Sequence, residues 1–255
     1  MARQEWIYGV HPVSAAIAAR PDQVLEVWVA DHRRDARAAD VAEGARAKGI
    51  RVQVAGREVL SRRAGSEQHQ GVVARVRPLS PGDEGDLETR LAESGRRASL
   101  ILVLDGVTDP HNLGACLRTA EAAGASAVVL PRDRAAPITP VVRKVSTGAA
   151  ERVPVYAVTN LARALRLMGS AGLWVYGMAQ EAERCLYELE LHGPVALVLG
   201  AEGEGLRRLT REHCDGLVSL PMSGQVESLN VSVAAGICLY EIVRQRWAKA
   251  RPASG

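Results

Sequence analysis

The chain has 255 residues, 47% hydrophobic and 24% charged, with a formal net charge of +3. That balance is ordinary for a globular protein, and no run of about 18 apolar residues exists to span a membrane. The opening Met-Ala-Arg-Gln-Glu-Trp lacks the apolar stretch of a secretory signal, and a charge this small neither requires nor excludes a nucleic-acid partner.

In chain order, Val24–Ala30 is strand-like, Arg34–Lys48 is an Ala-rich helical stretch stopped by Gly49, Ile50–Val54 alternates with period two, and Gly71–Val76 is another strand. This predicts a compact α/β module over residues 1–77, which carries a net charge of +4. Arg77-Pro-Leu-Ser-Pro-Gly-Asp-Glu-Gly-Asp86 mixes Pro, Gly and acid and reads as a linker, with the boundary placed over 78–98. Residues 99–255 alternate more clearly. Strand Leu100–Leu104 leads to a helix over His111–Ala123 with Gly124 at its end. Strands Ala127–Leu130 and Val153–Val155, helix Leu161–Met168 and strand Leu173–Tyr176 follow. Strand Val195–Leu199, helix Leu206–Cys214, strand Leu217–Leu220 and a last helix over Leu229–Ala248 complete the series. Apolar strands alternating with helices predict a mainly parallel sheet covered on both faces.

The four cysteines, Cys116, Cys185, Cys214 and Cys238, form no C-x-x-C pair, and the six histidines are scattered. That argues against a zinc ribbon or redox dithiol and fits a reducing cytoplasm, with no metal expected. Only three of the 32 basic residues are lysine; arginine suits bidentate phosphate and guanine contacts, although the bias is largely compositional.

Three turns stand where ligands bind such sheets, beyond the carboxyl ends of strands. The first, Asp105-Gly-Val-Thr-Asp-Pro-His-Asn112, holds helix-start residues and leads to Arg118. In the second, Leu199-Gly-Ala-Glu-Gly-Glu-Gly205, glycines allow close backbone approach, but the order is not that of a dinucleotide-binding fingerprint, which argues against a nicotinamide oxidoreductase. The third, Leu220-Pro-Met222 through Ser228-Leu-Asn-Val-Ser232, opens onto the last helix, which Ser228 and Asn230 are also placed to cap.

Together, Asn112-Leu-Gly-Ala-Cys-Leu-Arg118, Leu199–Gly205 and Leu220–Ser232 resemble, in order and spacing, the three motifs of the SpoU/TrmH family of RNA ribose 2′-O-methyltransferases in the SPOUT superfamily. Tyr8-Gly-Val-His-Pro12, Gln68–Val76, Asp105–Asn112 and Leu206–Cys214 narrow the likeness to the branch that methylates a guanosine ribose in the peptidyl-transferase loop of 23S rRNA. Glu227 departs from the small residue that close relatives often carry there. The resemblance implies an α/β catalytic domain over 99–255 with a deep trefoil knot, made by threading roughly residues 195–240. It also implies a smaller N-terminal α/β domain of the RNA-binding L30e/L7Ae type, a homodimer, and S-adenosylmethionine as cofactor. It assigns catalytic roles to Asn112, Arg118, Glu202, Ser228 and Asn230, and cofactor contacts to Leu199, Gly200, Ala201, Leu220, Met222, Ser228 and Leu229. A permanently protonated Arg118 suits phosphate anchoring and stabilisation of a developing alkoxide better than general-base work. Arg132, Arg134, Arg143 and Lys144 are expected on RNA phosphates, with Trp6 and Tyr8 as candidates for base stacking or for core. The rival readings are the same chemistry on tRNA or another rRNA site, and a non-catalytic RNA-binding assembly protein.

Overall fold

A computed structural model describes residues 4–31, 36–94, 99–201 and 203–250. Its contacts divide the chain into two units, 1–80 with 138–152, and 81–137 with 153–255.

The first unit starts with β1 (Glu5–Tyr8), α1 (Val10–Ala19), β2 (Val24–Ala30), α2 (Ala36–Ala47), β3 (Arg51–Ala55), α3 (Arg57–Ala64) and β4 (Val72–Val76). Its sheet runs β1-β4-β2-β3, with only β2–β3 parallel. Period-two alternation divides the side chains between two faces. Ile7, Val27, Val29, Val72 and Ala74 pack on Val13, Ile17, Val41 and Ala45 of α1 and α2. The opposite face carries Trp6, Tyr8, Trp28 and Val73, and α3 sets Leu60 on part of it. β2 matches its predicted span, and α2, β3 and β4 lie within two residues of theirs. β1, α1 and α3 were not foreseen: β1 is four residues long, and α3 buries only Leu60, so neither presents a readable apolar period.

Within the stretch predicted as a linker, residues 84–94 form α4 (Glu84–Ser94), and residues 95–98 lie outside the described residues. Asp83 starts it, its carboxylate accepting from the N–H groups of Gly85 at 2.8 Å and Asp86 at 3.1 Å, and Leu87 and Leu91 are buried. The acidic run is therefore a helix start, where negative charge meets the positive end of the helix dipole. The chain continues through β5 (Leu100–Asp105), α5 (Pro110–Ala122), β6 (Ala127–Pro131), α6 (Pro140–Val145), α7 (Ala149–Arg152), β7 (Val155–Val158) and α8 (Leu161–Ser170). It ends with β8 (Trp174–Met178), β9 (Val195–Gly200), α9 (Arg208–Glu212), β10 (Gly216–Val218) and α10 (Val231–Ala250). The second unit's sheet runs β10-β8-β9-β5-β6-β7 and every pairing is parallel. β5 and β6 are buried at every residue, as a sheet covered on both faces requires. After α5, Gly124 takes the left-handed conformation (φ 73°) its position suggested.

α6 and α7 do not join this sheet; they fold with residues 1–80. Arg143 lies on α6 with 1% of its surface exposed, donating to Glu5 Oε1 at 2.5 Å and through Nε to Glu151 Oε1 at 2.5 Å. Glu151 also pairs with Arg20. α7 meets α1 so closely that a Cβ on Gly148 would stand 2.6 Å from that of Ala15. Arg143 was expected on RNA phosphates; two carboxylates claim it instead, and a buried guanidinium needs such partners.

Candidate active site

Strand order decides where a ligand can enter the second unit. The chain runs from β5 to β6 and β7 on one side, then crosses to β8 and returns to place β9 between β8 and β5. A crevice opens at such a reversal, outside the carboxyl ends of the strands. There the structure has a cleft of about 420 Å³, within the range of small-molecule sites. Leu199, Gly200, Ala201, Leu220, Met222, Ser228 and Leu229 all line it, so the seven residues assigned to the cofactor on resemblance meet in one place.

The floor of the cleft is a turn that only glycine permits. The N–H of Gly205 donates to the carbonyl of Ala201 at 2.9 Å, and Gly203 and Gly205 take φ of 80° and 66°. A Cβ on Gly200 would stand 2.1 Å from the carbonyl carbon of Gly205, closer than any real contact. The opposite wall, residues 220–230, is neither helix nor strand, so its main-chain groups belong to no ladder.

Asn112 and Asn230 lie beside the cleft at two helix starts. Asp109 caps α5, its carboxylate accepting from the N–H groups of His111 and Asn112. Asn230 caps α10, its Oδ1 accepting from the N–H of Ser232 at 2.9 Å and from its hydroxyl at 2.6 Å. The amide of Asn230 also donates to Asn112 Oδ1 at 2.9 Å, joining residues 118 positions apart. Both helices therefore begin at the same spot, and their N-terminal N–H groups and dipoles favour an anion there. Arg118 lies six residues further along α5, less than two turns and about 9 Å by helical rise, on an exposed position. Glu202 lies outside the described residues.

Sequence reasoning passed over a clamp under the glycine turn. Asp105 ends β5 opposite Gly200 of β9 and is 1% exposed. Its carboxylate accepts from the backbone N–H of Arg207 at 3.0 Å and from that residue's guanidinium Nε at 2.5 Å. The signal was a lone acid closing a wholly apolar strand. The cleft also contains Glu181, Glu204 and Glu227 against one cation, Arg211, which pairs with Glu181. A hydrogen bond to its own backbone N–H and that arginine hold the Glu181 carboxyl below the usual range. Burial pushes the Cys214 and Cys238 thiols up to about 12, so neither supplies a thiolate. Among the described residues no cluster of His, Cys, Asp and Glu suits a metal, and no helix is long and apolar enough to cross a membrane.

This arrangement has known counterparts. The SpoU rRNA Methylase family matches residues 99–240, and the family described as RNA 2′-O ribose methyltransferase substrate binding matches residues 6–82. A 23S rRNA (guanosine-2′-O-)-methyltransferase, RlmB, of Haemophilus influenzae is 54% identical over 95% of this chain and 98% of its own. The RlmB of Xanthomonas campestris is 52% identical over 96% of this chain and 99% of its own. Among solved structures, the SpoU methyltransferase AviRb of Streptomyces viridochromogenes in complex with AdoMet (S-adenosylmethionine) matches with a TM-score of 0.79 at 25% identity, over 96% of this chain and 91% of its own. The TrmH/SpoU tRNA modifying enzyme of A. aeolicus covers 67% of this chain and 90% of its own, with a TM-score of 0.55 at 30% identity. The likeness to the RlmB proteins runs through both units, and with the family match over residues 99–240 it places this chain in the SpoU rRNA methylase family.

Proposed function

We propose that the chain is an S-adenosylmethionine-dependent methyltransferase that 2′-O-methylates the ribose of one guanosine in 23S rRNA, in the peptidyl-transferase loop. The observation that carries the reading is the single cleft formed by Leu199–Ala201, Leu220, Met222 and Ser228–Leu229 beside the joined pair Asn112–Asn230. The full-length likeness to RlmB proteins supports the substrate, and the tRNA enzyme's shorter match favours rRNA over tRNA. The cleft suits the cofactor in size, in the bare backbone of its glycine turn and in charge, since Glu181, Glu204 and Glu227 face a ligand that is itself cationic. When bound, that cofactor supplies an electrophilic methyl group on a sulfonium.

The protein's part is to orient a poor nucleophile and stabilise the charge it develops. The backbone of Gly200–Gly205 and Leu220–Met222 holds the adenosine portion, and Ser228 and Leu229 shape the wall near the reacting ribose. Asn112 and Asn230 fix the ribose at the two helix starts, where the dipoles favour the target phosphate. Arg118 anchors that phosphate and stabilises the negative charge that builds on the attacking 2′-oxygen, and Glu202 orients Arg118. The first unit gathers the RNA, and the protein works in the cytoplasm without a metal. β9 occupies the middle of the sheet although it comes late in the chain, which supports threading of residues 195–240 as a trefoil knot.

We read the working form as a homodimer. Val233, Tyr240 and Trp247 recur every seven residues on α10 and are 50%, 51% and 59% exposed. Seven residues turn a helix almost two full turns, so the three form one apolar stripe suited to a second copy.

The test is incubation of the purified protein with methyl-labelled S-adenosylmethionine and protein-free 23S rRNA fragments. Label is expected at one guanosine ribose. Arg118→Ala is expected to lower the rate roughly 10²–10³-fold, the loss typical of removing one stabilising donor, without change of fold at so exposed a position. Absence of label from every RNA overturns the reading, and label in tRNA alone moves the substrate.

A further inference from the structure

The second face of the first unit's sheet has an arrangement that the cleft chemistry does not use. The chain has four tryptophans, five tyrosines and no phenylalanine, yet two of the tryptophans stand on this face. Trp6 of β1 and Trp28 of β2 lie on either side of β4, opposite Arg75 and Val73. Arg63, in the last turn of α3, reaches between them. Its guanidinium carbon lies 3.8 Å from the centre of the Trp28 ring and 4.8 Å from that of Trp6. The layered contact of a planar cation with two indoles is a cation–π arrangement.

Two features set this stack apart from ordinary core. Leu60 anchors α3 over Tyr8, Ala30 and Val73, whereas Trp6, Trp28 and Arg63 remain only half-buried. The stack also holds two N–H donors, Trp28 Nε1 and Arg63 Nε, that are out of solvent and have no hydrogen-bond acceptor. Buried donors in a finished core find acceptors. The rim is polar and pre-arranged: Glu26 accepts from Gln53 Nε2 at 2.9 Å and pairs with Arg75 Nε at 2.9 Å, leaving the Arg75 side chain 40% exposed.

We propose that the Trp6–Arg63–Trp28 stack is a seat for one unpaired nucleobase of the RNA substrate. A base supplies what the half-exposed indoles lack, a further flat π face to stack on. Arg75 at the rim suits the adjoining phosphate. The base must come from a loop or bulge, because a duplex keeps its base faces stacked within the helix. This rests on the reading of the chain as an RNA methyltransferase and adds where, outside the cleft, the RNA is held.

The experiment uses the full chain with S-adenosylmethionine and a fluorescein-labelled 23S rRNA fragment at fixed salt, read by anisotropy and by steady-state methylation. Trp28→Leu is expected to weaken RNA binding about tenfold, within the range for loss of one base–aromatic stack. Arg63→Lys is expected to weaken it as much as Arg63→Ala, because lysine keeps the charge but not the plane. In each variant KM for RNA rises while kcat and S-adenosylmethionine affinity hold. Scanning single abasic sites through the fragment is expected to find one position whose loss weakens the wild type about tenfold and leaves Trp28→Leu no weaker than before. Variants that keep the wild-type thermal melt and bind RNA within twofold of wild type overturn the proposal. So does an Arg63→Lys protein that binds like wild type, which reduces the stack to a charge. If the wild type methylates RNA while the variants bind normally, the base seat fails and the methyltransferase reading stands. If the wild type neither binds nor methylates RNA, both fail.

Discussion

Asp105 illustrates how a residue outside the cleft wall governs it. Its buried carboxylate ties Arg207 to the end of β5 and so fixes both ends of the turn from Gly200 to Leu206. Asp105→Asn keeps an acceptor for the Arg207 N–H and loses the charge facing the guanidinium, an interaction of the stronger, charge-assisted kind. The expected outcome is S-adenosylmethionine affinity weakened about tenfold, roughly 1.4 kcal/mol, with kcat at saturating cofactor within about twofold of wild type. Calorimetry and steady-state rates check it, and an equal fall in kcat with unchanged affinity counts against a positioning role. At this scale the sequence was readable where chemistry is local. Gly200, Gly203 and Gly205 announced a turn that needs bare backbone, and Asp109 announced a helix start. The bonds of Asp105 to Arg207 and of Asn230 to Asn112 were not readable, because each joins residues more than a hundred positions apart and neither partner carries a local mark of the other.

Among elements, β6, β9 and β5 up to Leu104 were the easiest to place, since an apolar run buried on both faces has no polar positions to confuse its reading. α6 was invisible for the opposite reason. Pro-Val-Val-Arg-Lys-Val reads as an exposed basic turn, yet folding buries its arginine between Glu5 and Glu151. Removing one partner of a buried ionic group strands the others in a medium that cannot solvate them. Arg143→Ala is therefore expected to destabilise the first unit by about 3–5 kcal/mol, measured by urea unfolding followed through Trp6 and Trp28 fluorescence in a Trp174→Tyr, Trp247→Tyr background. A loss below about 1 kcal/mol contradicts the structural role. α4 shows the same ambiguity at a boundary, because Pro, Gly and Asp begin helices as readily as they fill linkers.

At the scale of the molecule, the stripe on α10 leads to a test of assembly. Replacing a half-exposed aromatic there by a charge leaves the buried core of a single chain in place and opposes burial against a second copy. Tyr240→Glu is expected to convert a dimer to a monomer in sedimentation while the circular dichroism spectrum stays the same. An unchanged mass rules out this stripe as the contact. The sequence changes charge and pattern near residue 80, but the return of residues 138–152 to the first unit leaves no such mark, since composition carries no record of which unit a short helix rejoins.

That return has a consequence for the order in which the protein is made. When residue 80 leaves the ribosome, Glu5 and Arg20 have been synthesised and their partners Arg143 and Glu151 have not. The amino-terminal unit waits, with part of its interior still exposed to solvent, until β5, α5 and β6 of the other unit have followed it out of the exit tunnel. A fragment ending near residue 80 thus lacks structural members of the unit it is meant to represent, and the two units mature as a single nascent chain.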